Sequence, residues 1–271
     1  MLKPYSIRRP ILAFVTGAAI GALGGLIGLG GAEFRLPILI TVFALYPHRA
    51  VRFNLLVSFV TLAFAAVTRL RIIPATDVTA YSDVILAMVA GGMISAWVGA
   101  GWLSRVEPSR LMAIISALLL VVAALLFAEA TQAGAGPSPL PNDVVLRAGV
   151  GILAGLLVGA VSSLLGVAGG EFIIPILIFL FGADIKTAGT LSLLISLPIV
   201  LMGVAKHRLS GHYRSRDVLT YLVLPMAAGS VVGAMLGGLM ANVAPISALK
   251  IVLAVILAWS AFRLRHHDDT R

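Results

Sequence analysis

GLGGAEFRLP at residues 28–37 and GVAGGEFIIP at residues 166–175 are two versions of one motif, and this pair decides the fold. Each version places glycines before a glutamate and a proline inside an otherwise apolar chain. In a bilayer an unpaired backbone group costs on the order of several kcal/mol, so a helix breaks only where protein or water covers the break. The motif therefore indicates two covered breaks in membrane helices.

The rest of the chain has the composition of an integral membrane protein. Its 271 residues are 60% hydrophobic and 11% charged, with a mean hydropathy of +1.06. Eight apolar windows have the length that a bilayer requires, and they fall at about 11–29, 50–68, 80–104, 109–128, 146–166, 185–205, 217–240 and 246–262. Two further runs, 36–47 and 173–183, reach only part-way across a hydrocarbon core of about 30 Å. We predict an all-α, polytopic integral membrane protein with 8–10 transmembrane segments, two of them short broken or re-entrant segments.

A single offset superposes the two halves of the chain without a gap. It equals the distance of 138 residues from Gly31 to Gly169, and it also pairs Gly17 with Gly155, Gly21 with Gly159, Gly28 with Gly166, Glu33 with Glu171, Phe34 with Phe172, Pro37 with Pro175, Gly91 with Gly229, and Gly99 with Gly237. Between the halves lies a hydrophilic stretch rich in proline and glycine. We predict two tandem homologous repeats, a first membrane repeat over 1–128 and a second over 144–271, joined by a linker over 129–143.

The distribution of lysine and arginine predicts that both termini are cytoplasmic. If all ten segments cross, 14 of the 20 basic residues lie on the cytoplasmic side, and an odd number of crossings per repeat makes the repeats inverted. If the two short segments do not cross, 13 lie there and the repeats are parallel. The charges leave these two arrangements open.

The glycines beside the two glutamates have two interpretations. Broken helices near the membrane midplane point backbone N–H groups and positive dipole ends at anions. On this interpretation the candidate substrate-binding residues are Gly28, Gly30, Gly31, Ala168, Gly169 and Gly170. The alternative is tight helix packing, which we favour for three ridges elsewhere: Gly17, Gly21 and Gly25; Gly91, Ser95 and Gly99; and Gly229, Gly233 and Gly237.

Charged side chains in the motif are the second group of candidates. Ionisable residues within a membrane are costly and usually functional, so Glu33 and Glu171, at equivalent positions, are candidate proton-coupling residues. The alternative is a helix-start carboxylate stabilised by the helix dipole. Arg35 has no counterpart, because Ile173 occupies its position. It is either an ion-pair partner of a glutamate or a substrate-binding fork that holds an oxyanion through parallel hydrogen bonds.

Small polar side chains follow the short segments. Asn54 and Ser58 align with Ser192 and Ser196, and each pair lies four residues apart on one helix face. We take all four as candidate substrate-binding residues that line a path for a small polar anion. The alternative is hydrogen bonding between neighbouring helices.

No pattern in the chain supports catalysis, a metal or a cofactor. The absence of cysteine excludes disulfides, thiolate nucleophiles and cysteine metal sites. The five histidines show no metal-ligand spacing within a span, and the motifs of zinc proteases, serine hydrolases and phosphate-binding loops are missing. The basic residues behind the net charge of +9 lie between apolar segments and form no basic stripe with aromatic residues. We predict no enzyme activity, no catalytic residue, no cofactor and no nucleic-acid partner.

Taken together, Gly28-Leu29-Gly30-Gly31 with Pro37, Ala168-Gly169-Gly170 with Pro175, and eight to ten apolar segments resemble the TauE/SafE sulfite exporter family, also called the toluene sulfonate uptake permeases. The resemblance extends over nearly the whole chain. It implies a secondary carrier in the cytoplasmic (inner) membrane for sulfur-containing anions such as sulfite, sulfoacetate or other organosulfonates. The Gly-Gly-x-Glu-Phe form departs from the family's more usual all-apolar continuation.

The sequence thus predicts a membrane transporter that moves a small anion by alternating access. Its expected partners are the substrate and the lipid bilayer, and glycine ridges on the outside of the bundle would also permit a homodimer. Two alternatives stay open: a drug/metabolite-type carrier, which also has ten helices in two halves, and a passive anion channel.

Overall fold

The computed structural model is built of α-helices and describes residues 8–27, 31–69, 79–131, 140–141, 143–213, 215–240 and 246–268, with no strand in these ranges. We number the helices α1 Arg8–Ile27, α2 Ala32–Thr41, α3 Pro47–Arg69, α4 Ser82–Trp102, α5 Pro108–Thr131, α6 Val144–Leu165, α7 Gly170–Phe179, α8 Ile185–Leu209, α9 over 216–240 and α10 Ile246–Asp268. Helix α9 is continuous, and Leu219–Val223 within it forms a π-helical turn.

The all-α, polytopic fold is confirmed. Each of the eight long apolar windows forms a helix, and the two short runs form separate helices of 10 residues, about 15 Å long at 1.5 Å per residue. Among the described residues six helices, α3–α6, α8 and α9, have the length and apolar character to cross a membrane by themselves. Shorter apolar stretches occupy Pro10–Leu26, Gly170–Phe179 and Leu253–Phe262.

Helix α5 continues further than the predicted linker boundary at residue 129. It extends to Thr131, the last residue that the structure describes before a gap at 132–139. Helix α6 begins where expected: the Asp143 side chain accepts hydrogen bonds from the backbone N–H groups of Val145 (2.8 Å) and Leu146 (3.0 Å). This is a side-chain N-cap of the usual kind.

Glycine ridges join helices from the two halves of the chain. Gly17, Gly21 and Gly25 of α1 lie against the backbone of α9 at Met226, Ser230 and Ala234. A Cβ atom at any of the three would collide with that backbone. The ridges of α4 and α6 interlock in the same way, with Gly91 against Ile152 and Gly159 against Gly92. The packing interpretation of the three ridges is thus confirmed, and the ridges are occupied within one chain.

Contacting residues fix the relative directions of the helices. Residue numbers rise together along α1 and α9, so these two helices run parallel, as do α4 and α6. Along α3 and α8 the order is reversed: the Tyr213 hydroxyl donates to the Arg52 carbonyl at 3.1 Å, whereas Gly203 lies against Leu55. Helices α3 and α8 are therefore antiparallel.

These directions agree with the ten-crossing arrangement. The Arg147 guanidinium at the start of α6 lies 5.7 Å from the ring centroid of Phe181, just after α7, so α7 returns the chain to the face where α6 began. Helices α8 and α9 are consecutive crossings, so α9 runs opposite to α8, as α3 does. Because α9 is also parallel to α1, α1 and α3 run in the same direction. Two successive crossings in one direction need a third between them, which is α2. The arrangement in which neither short segment crosses would make α3 and α8 parallel, which the contacts contradict.

The two short helices lie in the interior of the bundle, where nearly all their residues are buried. Helix α2 packs against α3, and α7 packs against α8. The offset of 138 residues maps Ala32–Thr41 onto Gly170–Phe179 residue by residue. The division into two homologous repeats stays a prediction to which this equivalence adds support.

Candidate functional site

Both short helices begin at a glycine with left-handed backbone. Gly31 has φ 72° and Gly169 has φ 81°, a conformation that other residues adopt only at a cost. A Cβ atom would lie 2.8 Å from Ile20 Cγ2 at Gly31 and 2.6 Å from Val158 Cγ1 at Gly169. Both positions therefore need glycine for backbone conformation and for close packing.

Because the N-cap residue of each helix is a glycine, neither helix start has a side-chain cap. The first N–H groups of each helix thus lack both an intrahelical acceptor and that usual substitute. In the second copy Ala168 is buried and Gly170 is the first residue of α7. Gly28 and Gly30, the other two candidates of the motif, lie outside the described residues.

A fully buried guanidinium lies just inside the first of these starts. All four hydrogen bonds from the Arg35 side chain go to neutral oxygens on α3 and α9: Nε to Asn54 Oδ1 (3.2 Å), Nη1 to Thr61 Oγ1 (3.2 Å) and Ser230 Oγ (3.1 Å), and Nη2 to Ser58 Oγ (2.8 Å). The hydroxyls of Ser58 and Thr61 donate in turn to the carbonyls of Asn54 and Val57. These two oxygens therefore present lone pairs to the arginine.

Among the described residues no carboxylate forms an ion pair with this charge. Within the described part of the chain the ion pairs are Arg110–Glu107 and Arg147–Asp83, and Arg35 takes part in neither. The ion-pair interpretation of Arg35 is therefore wrong for this conformation. Glu33 and Glu171 are near enough to attract the guanidinium electrostatically, but neither bonds to it. The positive charge is solvated by dipoles and left uncompensated by direct contact.

Asn54 ties the two helix breaks together. Besides accepting from Arg35, its Nδ2 donates to the carbonyl of Ala32 (2.7 Å) at the first break and to the carbonyl of Gly166 (2.8 Å) at the second. Gly166 ends α6 with φ 68°, and the Ser162 hydroxyl donates to the carbonyl of Val167 at 2.7 Å in the short link to α7. One side chain of α3 therefore sets the distance between both motifs.

The two glutamates meet at this junction. Glu33 is fully buried and Glu171 is 3% exposed, and the two carboxyl groups are near enough to act on each other electrostatically. None of the four carboxyl oxygens accepts a hydrogen bond from a donor among the described residues. Two facing buried carboxylates cannot both be ionised without a large cost, whereas one shared proton would give each a partner.

The second half does not reproduce the cationic centre. Ile173, at the position equivalent to Arg35, is fully buried. The Ser192 hydroxyl donates to the Gly189 carbonyl at 2.9 Å, and Ser196 is buried with no partner for its hydroxyl in the described residues. The Arg35 hydrogen bonds thus bring together Asn54 and Ser58 but include neither Ser192 nor Ser196.

Two members of the network were missed from the sequence. Thr61 lies seven residues after Asn54, so Asn54, Ser58 and Thr61 form a single stripe on α3, a signal that periodicity alone would have given. Ser230 comes from α9 and carries no comparable signal, because a lone serine in a small-residue ridge is common in membrane helices.

Comparison with known proteins gives one family. A sequence model described as sulfite exporter TauE/SafE matches residues 11–264. The chain is also similar to a protein of Bacillus subtilis (strain 168) named probable membrane transporter protein YunE, with 26% identity over 266 residues that cover 91% of this chain and 95% of that protein. No solved structure matches.

Proposed function

The chain belongs to the sulfite exporter TauE/SafE family of membrane transporters, and on that premise we propose that it is a secondary carrier of small sulfur-containing anions such as sulfite, sulfoacetate or other organosulfonates. The proposed location is the cytoplasmic membrane, with both termini cytoplasmic. Transport proceeds by alternating access around the junction of α2 and α7.

One observation carries the proposal: Arg35 is a fully buried cation without an ion-pair partner in the described residues. A buried charge that lacks a counter-ion is costly, and an anion removes that cost on binding. The planar guanidinium also matches the spacing of two oxygens on a sulfonate or sulfite.

The hydrogen-bond count leaves room for such a ligand. A guanidinium has five N–H groups, and Arg35 uses four of them on the surrounding oxygens. The oxyanion takes the remaining donor first and then competes with the hydroxyls of Ser58, Thr61 and Ser230. The N–H groups at the starts of α2 and α7, with their positive dipole ends, are further candidate donors.

Movement of the substrate is coupled to the network around Arg35. Three of its acceptors lie on α3, but Ser230 lies on α9. An anion that replaces Ser230 as the partner of Arg35 releases α9 from this contact, so binding favours a different position of α9. In this way differential contacts with the ligand shift the equilibrium between two conformations.

Protons are carried by Glu33 and Glu171. Both carboxyls are buried at the junction, so two negative charges there would repel each other and favour separation of α2 and α7, whereas a bound proton would remove that repulsion. Arg35 interacts electrostatically with both glutamates, so an anion bound to Arg35 would act on the charge of the pair.

Counterflow in liposomes tests the substrate class. Purified protein is reconstituted with internal unlabelled sulfite, and uptake of external radiolabelled sulfite is measured in competition with sulfonates and carboxylates. We expect trans-stimulated exchange that sulfonates inhibit and carboxylates do not. No exchange of any of these anions by protein shown to be folded would remove the proposed substrate class while leaving the membrane fold untouched.

A further inference from the structure

A second cluster of basic side chains, which shares no residue with the hydrogen bonds of Arg35, lies where α3 begins and α8 ends. Helix α8 ends in a Schellman motif, in which Gly211 (φ 73°) donates to the Arg208 carbonyl at 3.0 Å and the N–H of His212 donates to the His207 carbonyl at 3.1 Å. This geometry brings the side chains of His207 and His212 together.

Those two positions usually make an apolar contact in this motif. Here both are histidines, with ring centroids 5.8 Å apart in an edge-to-face arrangement. His207 is fully buried, and neither of its ring nitrogens has a hydrogen-bond partner among the described residues; the same is true of Nδ1 of His212. Since native proteins pair nearly all buried polar groups, nitrogens without a partner among the described residues are candidates for contact with a ligand.

Arg52 supplies a third donor to the same place. Its Nε is buried and has no partner in the described part of the chain. The hydroxyl of Tyr213 donates to the Arg52 carbonyl, and the Tyr213 ring lies 6.0 Å from that of Phe53, so the end of α8 is held against the first turns of α3. Arg52 and His212 are partly exposed, so the cluster is accessible to solvent, whereas His207 is fully buried.

The positive charge around the cluster favours a negatively charged ligand. The described groups that act electrostatically on it are Arg49, Arg52, Tyr213 and the two histidines, and none of them is acidic. A metal cation would meet two arginines and only two imidazoles, fewer ligands than a closed site requires. We propose that Arg52, His207 and His212 form a binding site for a small oxyanion, separate from the site at Arg35.

The donor set also indicates which oxyanion fits. The guanidinium donates only, but a neutral imidazole offers one N–H and one acceptor nitrogen, which matches an anion that retains a proton on one oxygen. Burial and the charge of Arg52 lower the pKa of His212 in the absence of such an anion. A bound anion acts in the opposite direction and raises that pKa. Because the cluster lies at one end of the membrane-spanning helices, the phosphate-type oxyanion comes either from solution or from a lipid headgroup.

Histidine resonances test the site directly, since the chain has only five histidines. Protein labelled with ¹⁵N-histidine is purified in neutral detergent, and its imidazole signals are followed near pH 6.5 while inorganic phosphate is added, with chloride at equal ionic strength as the reference. We expect saturable shifts of the His207 and His212 signals and a raised pKa of His212 at saturation. Unmoved signals of both residues with phosphate and with lipid would overturn the proposal.

Variants assign the effect to the cluster. Arg52→Gln removes one charged donor and should raise the half-saturating phosphate concentration about tenfold, whereas His207→Phe keeps a ring in place and should abolish saturation. His48→Gln is the matched control, because the Nε2 of His48 is already bonded to the Val106 carbonyl at 2.8 Å. Equal phosphate affinity in Arg52→Gln and His48→Gln would count against the site.

A second arm separates the two sources of the oxyanion. Phosphatidylglycerol in place of phosphate shifts the same signals if the site holds a headgroup, and phosphate alone shifts them if it holds a solute; either result supports an oxyanion site. Transport is a separate question. Phosphate binding here without sulfite counterflow would defeat only the proposed function, and counterflow with unmoved histidine signals would defeat only this site.

Discussion

Arg35 is the single residue that most distinguishes the two halves of the molecule. Because its guanidinium holds Asn54, Ser58, Thr61 and Ser230 at once, a lysine cannot replace it: the ammonium keeps the charge but loses the planar fork. We expect Arg35→Lys to lower sulfite counterflow about tenfold or more, and Arg35→Gln to abolish it.

The control for this experiment is Arg110→Gln. Arg110 is 80% exposed in an ion pair of 3.6 Å with Glu107, so its loss should change neither transport nor folding measurably. Each variant is checked by size-exclusion chromatography in detergent before reconstitution. Wild-type exchange by folded Arg35→Lys would show that only the charge matters.

The facing pair Glu33 and Glu171 makes its own prediction about pH. Glutamine keeps the shape and hydrogen bonding of a protonated carboxyl but cannot release a proton, so Glu33→Gln combined with Glu171→Gln should flatten the pH dependence of sulfite flux. Flux is measured over a range of pH on both sides of the liposome membrane. If the double variant retains the full wild-type pH profile, the two glutamates have no coupling role.

At this scale the sequence was informative wherever a residue was out of place. Charged Glu33, Glu171 and Arg35 stand out in apolar sequence, and the structure brings all three to the junction of the two breaks. Ser230 could not be found in this way. Its role depends on the packing of α9, which places it beside Arg35 although the two residues are 195 positions apart in the sequence. The sequence therefore indicated that the charge of Arg35 is important, but it could not identify all of the residues that bind it.

Helices α2 and α7 depend on the backbone of the glycines that precede them. In Gly31→Ala and Gly169→Ala a left-handed conformation costs about 1–2 kcal/mol, and the added methyl group meets Ile20 or Val158. A loss of this size should lower the midpoint of thermal unfolding in detergent by roughly 2–8 °C.

Gly149→Ala is the matched control for these two variants. Gly149 lies within α6, where a Cβ atom would meet nothing within 4 Å, so the substitution should be neutral or stabilise the protein by about 0.5–1 kcal/mol. Equal unfolding midpoints for all three variants would show that a side chain at Gly31 or Gly169 costs no measurable stability.

Helix positions were predictable from apolar length, but some of their details were not. The eight windows became helices because hydrophobic thickness imposes their length, whereas the two short runs gave helices of only 10 residues. Two features lay outside such reasoning: the continuation of α5 to Thr131 and the π-helical turn at Leu219–Val223. Both depend on local hydrogen bonding, which composition does not specify.

The directions of the helices across the whole molecule predict which loops share a face. Since the chain contains no cysteine, single cysteines can be introduced and labelled with a membrane-impermeant maleimide in intact cells or oriented vesicles. Tyr46→Cys, before α3, and Ser210→Cys, after α8, should react from one side. Ala80→Cys and Val145→Cys, at the starts of α4 and α6, should react from the other.

Tyr46 and Ser210 distinguish the two arrangements that charge counting left open. Helices α2 and α7 that do not cross would place these two residues on opposite faces, so labelling from opposite sides would contradict the ten-crossing arrangement. The basic residues alone could not decide, because 14 of 20 and 13 of 20 are equally acceptable distributions. The packing of the helices favours the ten-crossing arrangement, because α3 lies antiparallel to α8.

Interlocking of α1 with α9 has a consequence for how the protein is made. Gly17 meets its partner Met226 only after most of the chain has left the ribosome, which at about 5–20 residues per second takes on the order of 10–40 s. Until then the ridge of α1 faces lipid or the insertion machinery without its neighbour. Truncated chains that end before α9 should therefore be readily degraded by membrane proteases, so the last fifth of the chain is needed to protect its first helix.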